Sequence, residues 1–508
     1  MKWTAKRSRI LLWVNLPGLI LLFAHMREVS AQSPGTFTAT SNMTTARANH
    51  TATLLLDGRV LIVGGDPSGT AELFDPVTGA FTPTGNGTTG HEGKDRWGGI
   101  NAALLPDGRV LIARGGKSEV YDPATGSFTV TGAMVTNQFY FTATSLVNGK
   151  VLITGGTNGF TDCCAIAAQP ELYDPSTGTF TLSGPYIEQA VLSFADGYSA
   201  GTSGMTLAAA TLLSDGKVLI ASEPAAELYD PGTNTFSLAG SMVAIDEGGI
   251  WGKPTQISAR TATLMKNEQV LIAGGNPAYY DTGDFALSRA ELYDPVTGTF
   301  SATSSMHVPR QEHTATLLPD GTVLTTGGRI ENFCTATTLA ELYDPVTGAF
   351  SSGVPMTVGR YDHQATRLLD GRVLITGGLP TGKYFESEGC STLLASAELY
   401  TPAVLPPALV VTEVKFDRTD VVAGSSYSAS VTGSNLTPQT FFDVRFTRPG
   451  SNDSAVGLNW QRGSTGNHDV VAGIASGRWA INGARAHEIE TDHTGVFFPV
   501  FATITVLP

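Results

Sequence analysis

The chain has 508 residues, of which only 15% are charged and 58 are glycine, and its formal net charge is −14 at pH 7. An acidic body repels nucleic acids and anionic lipid surfaces at long range, which argues against a nucleic-acid partner and, once the leader is removed, a membrane partner. Low charge and abundant glycine are typical of an exported all-β protein with many tight turns.

Residues 1–31 have the pattern of a secretory signal. Basic residues precede the apolar run Ile10–Ala24, and Val29–Ala31 fits the small-residue rule for cleavage. The run is shorter than a comfortable membrane span. We therefore expect the mature chain to begin at Gln32 and to be secreted or periplasmic. The alternative is an uncleaved N-terminal anchor, which Pro17-Gly18 within the run disfavours.

One phrase dominates the next 350 or so residues. It reads close to H-T-A-T-L-L-x-D-G-x-V-L-I-x-G-G, followed by A-E-L-Y-D-P-x-T-G-x-F, and it recurs seven times between residues 50 and 402. Asp-Gly between two apolar runs predicts a hairpin with a two-residue primed turn. The second half predicts another hairpin, because Pro presets φ early in its turn and Gly accepts a positive φ. Each unit should therefore contain four antiparallel strands, which we name a to d.

Seven four-stranded sheets cover one another's faces when they pack radially, so residues 32–402 are predicted to form a seven-bladed β-propeller. Residues 34–43 match strand d of the fifth unit, residues 297–306, at seven of ten positions. The seventh unit runs into Pro402 without a strand d of its own. We therefore predict that the N-terminal segment supplies this strand and closes the ring.

Glycine pairs after strand b, together with the tyrosine of strand c, make these units resemble kelch repeats. The pairs are Gly64-Gly65, Gly115-Gly116, Gly155-Gly156, Gly274-Gly275, Gly327-Gly328 and Gly377-Gly378. The units depart from the kelch pattern in strand d, where Phe stands in place of Trp, and in the fourth unit, which has Ser222-Glu223 in place of the pair. The resemblance implies a propeller fold and leaves the activity open.

The repeat ends before the C-terminal region. Residues 403–408 form a short proline-containing linker, and residues 409–508 contain short β-rich runs with Asn-Gly and Ser-Gly turns. This pattern predicts an all-β chain that ends in an immunoglobulin-like sandwich.

A kelch propeller followed by such a domain resembles galactose oxidase and other copper radical oxidases. That family implies a Tyr cross-linked to a Cys, a Tyr-His pair at the start of an inner strand, and a further His from the C-terminal domain. Here blade seven has Tyr361-Asp362-His363, in which Asp interrupts the pair, and blade six has Gln311-Glu312-His313 without a Tyr. The resemblance therefore covers the architecture, and neither a copper site nor any other cofactor is predicted.

The loops and inner strands suggest where a ligand would bind. The a–b and c–d turns should share one rim, and the longer b–c and d–a connections the other, where binding groups are usually mounted. Seven residues before each Asp-Gly turn, at the start of strand a, stand His50, Ile100, Phe141, Ala208, Arg260, His313 and His363.

Each of the three histidines belongs to an Arg-x-x-His motif in the adjacent units six, seven and one. Three interpretations stay open: a structural part of the repeat with the His bonded between blades, a transition-metal site, or a surface for a carboxylate or sugar. The candidate binding residues are Arg47, His50, Trp97, Tyr140, Trp251, Arg260, Arg310, His313, Arg360, Tyr361 and His363.

Four cysteines in an exported chain indicate disulfides. Cys334 and Cys390 fall in the b–c loops of adjacent blades and are predicted to pair. Cys163 and Cys164 are expected to form a strained vicinal disulfide or to stay reduced.

The sequence as a whole predicts a monomeric, exported binding protein that presents its loop-rich rim to a glycan, a peptide or a surface partner. The alternative is a galactose oxidase-like carbohydrate or aldehyde oxidase, or a degenerate relative of one.

Overall fold

The computed structural model describes residues 35–87, 100–161, 164–187, 201–202, 209–221, 225–242, 257–258, 260–277, 286–331, 334–382 and 392–403, and the backbone of strands between 410 and 507. The predictions for the leader, Trp97, Trp251, Cys163 and Cys390 concern residues outside this description.

Every regular element of the described chain before residue 402 is a β-strand. These strands are β1 (Thr36–Ala39), β2 (Thr51–Leu54), β3 (Val60–Val63), β4 (Ala71–Asp75), β5 (Ala80–Pro83), β6 (Asn101–Leu104), β7 (Val110–Arg114), β8 (Lys117–Asp122), β9 (Ser127–Val130), β10 (Thr142–Ser145), β11 (Val151–Thr154), β12 (Thr157–Thr161), β13 (Cys164–Ala167), β14 (Glu171–Asp174), β15 (Thr179–Leu182), β16 (Gly201–Thr202), β17 (Ala209–Leu212), β18 (Val218–Ala221), β19 (Ala225–Asp230), β20 (Thr235–Ser241), β21 (Ile257–Ser258), β22 (Thr261–Leu264), β23 (Val270–Ala273), β24 (Asn276–Pro277), β25 (Ala290–Asp294), β26 (Thr299–Ala302), β27 (Thr314–Leu317), β28 (Val323–Thr326), β29 (Arg329–Glu331), β30 (Thr335–Ala336), β31 (Ala340–Asp344), β32 (Ala349–Ser352), β33 (Gln364–Arg367), β34 (Val373–Thr376) and β35 (Ala397–Thr401).

Seven four-stranded antiparallel sheets form the blades, which confirms the predicted propeller. Blades one to seven are β2-β3-β4-β5, β6-β7-β8-β9, β10-β11-β14-β15, β17-β18-β19-β20, β22-β23-β25-β26, β27-β28-β31-β32 and β33-β34-β35-β1. The first strand of each blade neighbours the first strand of the next, and β33 neighbours β2, so the ring is closed around seven inner strands.

The chain start closes the ring, as predicted. Strand β1 pairs antiparallel with β35, with Thr36 opposite Thr401 and Ala39 opposite Glu398. Gly35 lets the two segments approach, because a Cβ there would lie 2.4 Å from the carbonyl oxygen of Thr401. The closed circle protects sheet edges that would otherwise invite aggregation.

The core lies between blades rather than at one centre. The first four residues of strand b are buried in every blade, because neighbouring blades cover both faces of this strand. On the outer strands, a Tyr or Phe of strand c packs against the Phe of strand d, with ring centroids 4.8 Å apart for Phe74 and Phe81. The Phe that replaces the usual Trp therefore still fills the space between blades.

The geometry of the a–b turn differs from the prediction of a two-residue primed turn. In blade one, Leu55 donates to Arg59 (2.8 Å) and Gly58 donates to Leu55 (3.0 Å), which encloses three residues. Gly58 has φ of 88°, while Asp57 does not adopt a positive φ. Asp57 instead accepts a hydrogen bond from the amide of Arg59 at 3.0 Å, which stabilises a turn that ends in a left-handed Gly.

Beyond the linker the described elements are again all strands, which agrees with the all-β prediction. They are β36 (Val410–Phe416), β37 (Asp420–Val422), β38 (Ser426–Tyr427), β39 (Ala429–Ser434), β40 (Phe441–Thr447), β41 (Ser454–Gln461), β42 (His468–Asp469), β43 (Gly477–His487) and β44 (Ala502–Leu507). Five of them form a sheet in the order β37-β44-β43-β40-β41, and β36-β39 and β38-β42 form pairs. The immunoglobulin-like arrangement stays a prediction.

A hydrogen bond between outer strands recurs at several seams. The threonine after strand d contacts the tyrosine hydroxyl of the next blade at 2.9 Å, as in Thr84 with Tyr121 and Thr131 with Tyr173. At the closing seam the equivalent residues are Thr40 and Phe74. Thr40 keeps its bond to the carbonyl of Gly79 at 3.0 Å, but Phe74 has no hydroxyl.

Phe74→Tyr should therefore stabilise the closing seam, by about 1 kcal/mol, because it adds the hydrogen bond found at three other seams, between Thr84 and Tyr121, Thr131 and Tyr173, and Thr303 and Tyr343. Tyr121→Phe is the matched control and should lower stability by a similar amount. Thermal and urea unfolding of both variants measure the difference, and a lower melting temperature for Phe74→Tyr would contradict the equivalence of the seams.

Candidate functional site

The loop-rich rim is defined by the strand order. In each blade the a–b and c–d turns lie at one end of the sheet, so the b–c and d–a connections lie at the other end, which we call the loop rim. The described residues next to the strands in two long connections, residues 183–187 after β15 and residues 379–382 and 392–396 between β34 and β35, therefore lie at this rim. The three Arg-x-x-His motifs end at the inner strands of blades one, six and seven, where the loop rim meets the central channel.

The arginines of these motifs are fully buried inside their blades. Arg360 donates to the carbonyl oxygen of Gly377 at 2.7 Å, to that of Ser396 at 3.1 Å and to the carboxylate of Glu398 at 2.8 Å. Arg310 makes the equivalent bonds to Gly327 (2.8 Å) and Glu341 (2.7 Å). A guanidinium held in this way is not accessible to a ligand at the rim.

Arg47 follows the same pattern in blade one. It donates to Gly64 (2.6 Å) and Glu72 (2.8 Å), and also forms an ion pair with buried Asp66 at 3.1 Å.

The backbone of each motif contacts the preceding blade. The amide of Gly378 in blade seven donates to the carbonyl of Arg47 in blade one at 2.8 Å, and Gly328 and Gly275 make the same bond to Arg360 (2.9 Å) and Arg310 (3.0 Å). The glycine pair is needed for this approach, because a Cβ at Gly377 would lie 2.4 Å from the Arg47 carbonyl oxygen. One arginine thus ties two blades together.

The histidines sit in the same seams. Nε2 of His50 is 2.8 Å from the Thr376 hydroxyl of blade seven, and Nε2 of His363 is 3.0 Å from the Thr314 hydroxyl of blade six. His313 contacts Thr261 of blade five at 3.3 Å. All three are at most 6% exposed.

Burial keeps these imidazoles neutral. It lowers the pKa of His313 to about 3, and the nearby Arg310 guanidinium acts in the same direction. Burial also holds the pKa of His50 and of His363 well below the ordinary value, again with help from neighbouring arginines. Of the three interpretations left open, these contacts favour a structural part of the repeat.

The residue just before each histidine has a left-handed backbone conformation. Asn49, Glu312 and Asp362 adopt φ of 53°, 55° and 51°, and Tyr140 occupies the same position in blade three with φ of 59°. The backbones of Asn49, Asp362 and Glu312 are hydrogen-bonded in series across blades one, seven and six. The Asn49 amide donates to the Asp362 carbonyl (3.0 Å), and the Asp362 amide donates to the Glu312 carbonyl (3.2 Å).

Side chains meet at this point of the channel mouth. The amide of Asn49 donates to the Asp362 carboxylate at 3.2 Å, and Arg329 of the blade-six loop donates to Glu312 at 3.1 Å. Burial raises the pKa of Asp362 to about 6, and burial together with the Asp362 charge raises that of Tyr140. We call these five residues, Asn49, Tyr140, Glu312, Arg329 and Asp362, the axial cluster.

The axial cluster was missed as a set by sequence reasoning, although Tyr140 was among the candidates. A signal existed in the internal repeat. In units one, six and seven Arg and His recur at their positions, whereas the residue just before the histidine differs in each, being Asn49, Glu312 and Asp362. Positions that build a repeat recur within it, so the one that varies beside the channel is a candidate for function.

The other candidates occupy varied places. Tyr361 is 4% exposed and lies beneath the Arg329 guanidinium, which is 5.9 Å from the ring centroid. The side chain of Arg260, at the histidine position of blade five, is 4% exposed and lies 4.0 Å from Glu291. Tyr361 therefore borders the axial cluster, whereas Arg260 belongs to its blade.

The cysteines are described in part. Cys334 is fully buried and disulfide-bonded, and its carbonyl accepts a hydrogen bond from Gly382 of blade seven at 3.0 Å. The b–c loops of blades six and seven are therefore in contact. Pairing with Cys390 stays a prediction, and for Cys164 in β13 the structure describes only the backbone.

Two further features are absent from the described residues. No group of three or more His, Cys, Asp or Glu side chains there is placed to hold a metal ion. No helix there has the length and apolar character to span a membrane.

Comparison with solved structures shows similarity to a fungal alcohol oxidase of the AA5 family, solved in complex with copper. The TM-score is 0.58 and the identity 17%, over 94% of this chain and 100% of that chain. At this identity the likeness shows the fold alone. No protein-family profile and no curated protein matches the sequence.

Acidification from pH 6.5 towards pH 5 should destabilise the propeller through its buried histidines. A histidine whose folded pKa lies below its unfolded value of 6.5 contributes stability above pH 6.5, and this contribution is lost as the pH falls. For His313, with a folded pKa of about 3, the loss at pH 5 is about 2 kcal/mol.

The measurement is the melting temperature between pH 7.5 and 5, for wild type and for His313→Asn. The variant should show a shallower fall with pH. Equal slopes for the two proteins would show that His313 is not a proton-linked contributor.

Proposed function

We propose that this protein binds a polar ligand, a glycan or a peptide of a surface partner, at the loop rim, with the axial cluster at the centre of the binding surface. The observation that carries the proposal is the cluster itself. Four non-glycine side chains stand in left-handed turns at equivalent positions around one channel mouth.

The backbone conformation supports this reading. A left-handed conformation costs a side-chain-bearing residue about 1–2 kcal/mol, and strain of this kind concentrates at binding sites. Glycine would meet the geometric need at no such cost, as in the tight turns of this chain. Glu, Asp and Tyr at these positions are therefore better explained by what their side chains contact than by the fold.

The chemistry suits a ligand rich in hydroxyl or amide groups. Asp362 and Glu312 accept hydrogen bonds, Asn49 and Tyr140 both donate and accept, and Arg329 donates. The side chains of Glu312 and Arg329 are 26% and 14% exposed, so both reach solvent from a partly desolvated position. Groups held in this way give up little entropy when a ligand arrives.

The alternative is an oxidase, and the similarity to a copper-containing alcohol oxidase is what favours it. Copper needs several clustered donors, imidazole prominent among them. The described residues do not fit this need, because His363 turns its Nε2 to Thr314 and Thr326 in the seam, and Asp362 separates it from Tyr361. Copper loading followed by a hydrogen-peroxide assay on sugars and aldehydes tests this alternative, and peroxide production would favour it over binding alone.

An exported location belongs to the same proposal. The signal-like residues 1–31 support it, and the disulfide at Cys334 is typical of an oxidising compartment.

Asp362→Gly should abolish binding and raise stability. The variant removes the central carboxylate and relieves the left-handed strain, so we expect about 1 kcal/mol greater unfolding free energy. Binding is measured on arrays of glycans and peptides, and stability by urea unfolding.

Asp370→Ala is the matched control, since Asp370 lies in the a–b turn of the same blade at the opposite rim. It should bind as wild type does. Retained binding by Asp362→Gly, with binding lost in the control, would place the site elsewhere.

A further inference from the structure

The charges around the channel mouth are unevenly compensated. Each buried arginine of the three motifs has a carboxylate of its own blade, at 2.8 Å for Glu72, 2.7 Å for Glu341 and 2.8 Å for Glu398. The histidines of the seams are neutral because burial lowers their pKa. These groups therefore leave no net positive charge at the rim.

Within the axial cluster, Glu312 has a cation at contact distance and Asp362 does not. Glu312 is 3.1 Å from Arg329. Among the described residues, the one hydrogen-bond partner of the Asp362 side chain is the neutral amide of Asn49, which contacts Oδ2. The cluster thus presents one half-buried carboxylate whose hydrogen-bond partner is a neutral carboxamide, and the Arg329 guanidinium, which lowers the pKa of Asp362 against the larger effect of burial, acts on it without contact.

A carboxylate in this environment is costly, since desolvation disfavours its charged form. That cost is visible in the raised pKa of Asp362, which burial brings to about 6. A cation brought by a ligand would relieve it, because a charge-assisted hydrogen bond is stronger than a neutral one and gains from partial burial.

We propose that the ligand of the axial cluster carries a primary ammonium group, which pairs with Asp362 while Asn49 and Glu312 accept its remaining hydrogen bonds or those of neighbouring hydroxyls. This inference rests on the proposed binding function and narrows it. An ammonium fits the geometry because it has three donors and the cluster offers three adjacent acceptor side chains on blades six, seven and one. The net charge of −14 attracts such a ligand from a distance.

Two sources supply this chemistry, an amino sugar and a lysine side chain. The test uses pairs of probes that differ only in the charge on nitrogen. One pair is a glucosamine oligosaccharide and its N-acetylated counterpart, and the other is a lysine-containing peptide and its acetyl-lysine counterpart. Calorimetry with the full chain at pH 7 gives the dissociation constants.

The expected result is that the ammonium probe of at least one pair binds about tenfold more tightly than its acetylated counterpart. Asp362→Asn should abolish this preference, since it removes the charge and keeps the size of the side chain. Asp370→Asn, the same substitution at the opposite rim of blade seven, should keep it. Melting temperatures of both variants establish that they are folded. The pair that shows the preference identifies the source.

Two outcomes separate the failure of this inference from failure of the proposed function. If acetylated probes bind as tightly as their ammonium counterparts, the ammonium inference is overturned while ligand binding at the rim stands. If broader arrays show binding to no glycan or peptide at all, the proposed function is overturned and the inference falls with it.

Discussion

Each arginine of the Arg-x-x-His motifs is shared by two blades, and this sharing joins three of the seven seams of the closed ring. The guanidinium neutralises a glutamate and caps a glycine carbonyl inside its own blade, while the peptide carbonyl of the same residue accepts a bond from the blade before. A buried ion pair stabilises a protein only when its remaining hydrogen-bonding groups are also satisfied. The first glycine of the pair supplies one carbonyl acceptor to each arginine and leaves room for the neighbouring blade, while the arginine Nε has no partner among the described residues.

The glutamate of strand c is the constant partner in this arrangement. All seven are at most 2% exposed, namely Glu72, Glu119, Glu171, Glu227, Glu291, Glu341 and Glu398. Their partners vary. In blade three, Gln138 stands at the arginine position and donates to Glu171 at 3.1 Å, and in blade five Arg289 of the loop reaches Glu291 at 2.9 Å. The scaffold therefore requires a buried carboxylate to be satisfied, and accepts more than one way of doing so.

Much of the fold could be predicted because one sequence repeat, which encodes one blade, occurs seven times in the chain. Repeat length, hairpin pattern and the match between residues 34–43 and 297–306 gave the blade number and the closing strand. The turn geometry could not be predicted, because Asp-Gly serves a two-residue and a three-residue hairpin equally well. The three-residue turn found here contains a hydrogen bond from the Arg59 amide to the Asp57 carboxylate. The Asp-Gly dipeptide alone does not indicate that this bond will form.

The candidate site was predicted less well, for a physical reason. Arg360 and His363 were chosen as candidates because they recur in the repeat. The scaffold itself requires such recurring residues, and both side chains make their hydrogen bonds within the blades or between them. The residue between them, Asp362, is the one left facing the channel mouth. A repeat protein keeps its building residues constant and changes those that the scaffold does not need, so the informative comparison is among the units of one chain.

The closing strand has a consequence for how the molecule is made. Strand β1 pairs with residues more than 350 positions later, and the side chain of Thr38 bonds to Leu399 across a separation of 361 residues. Contacts this distant in sequence form late and slow a protein's folding. Strand β1 must therefore stay unpaired until the last blade has been synthesised, and until then the edge of β35 that it covers is open to pairing with other chains.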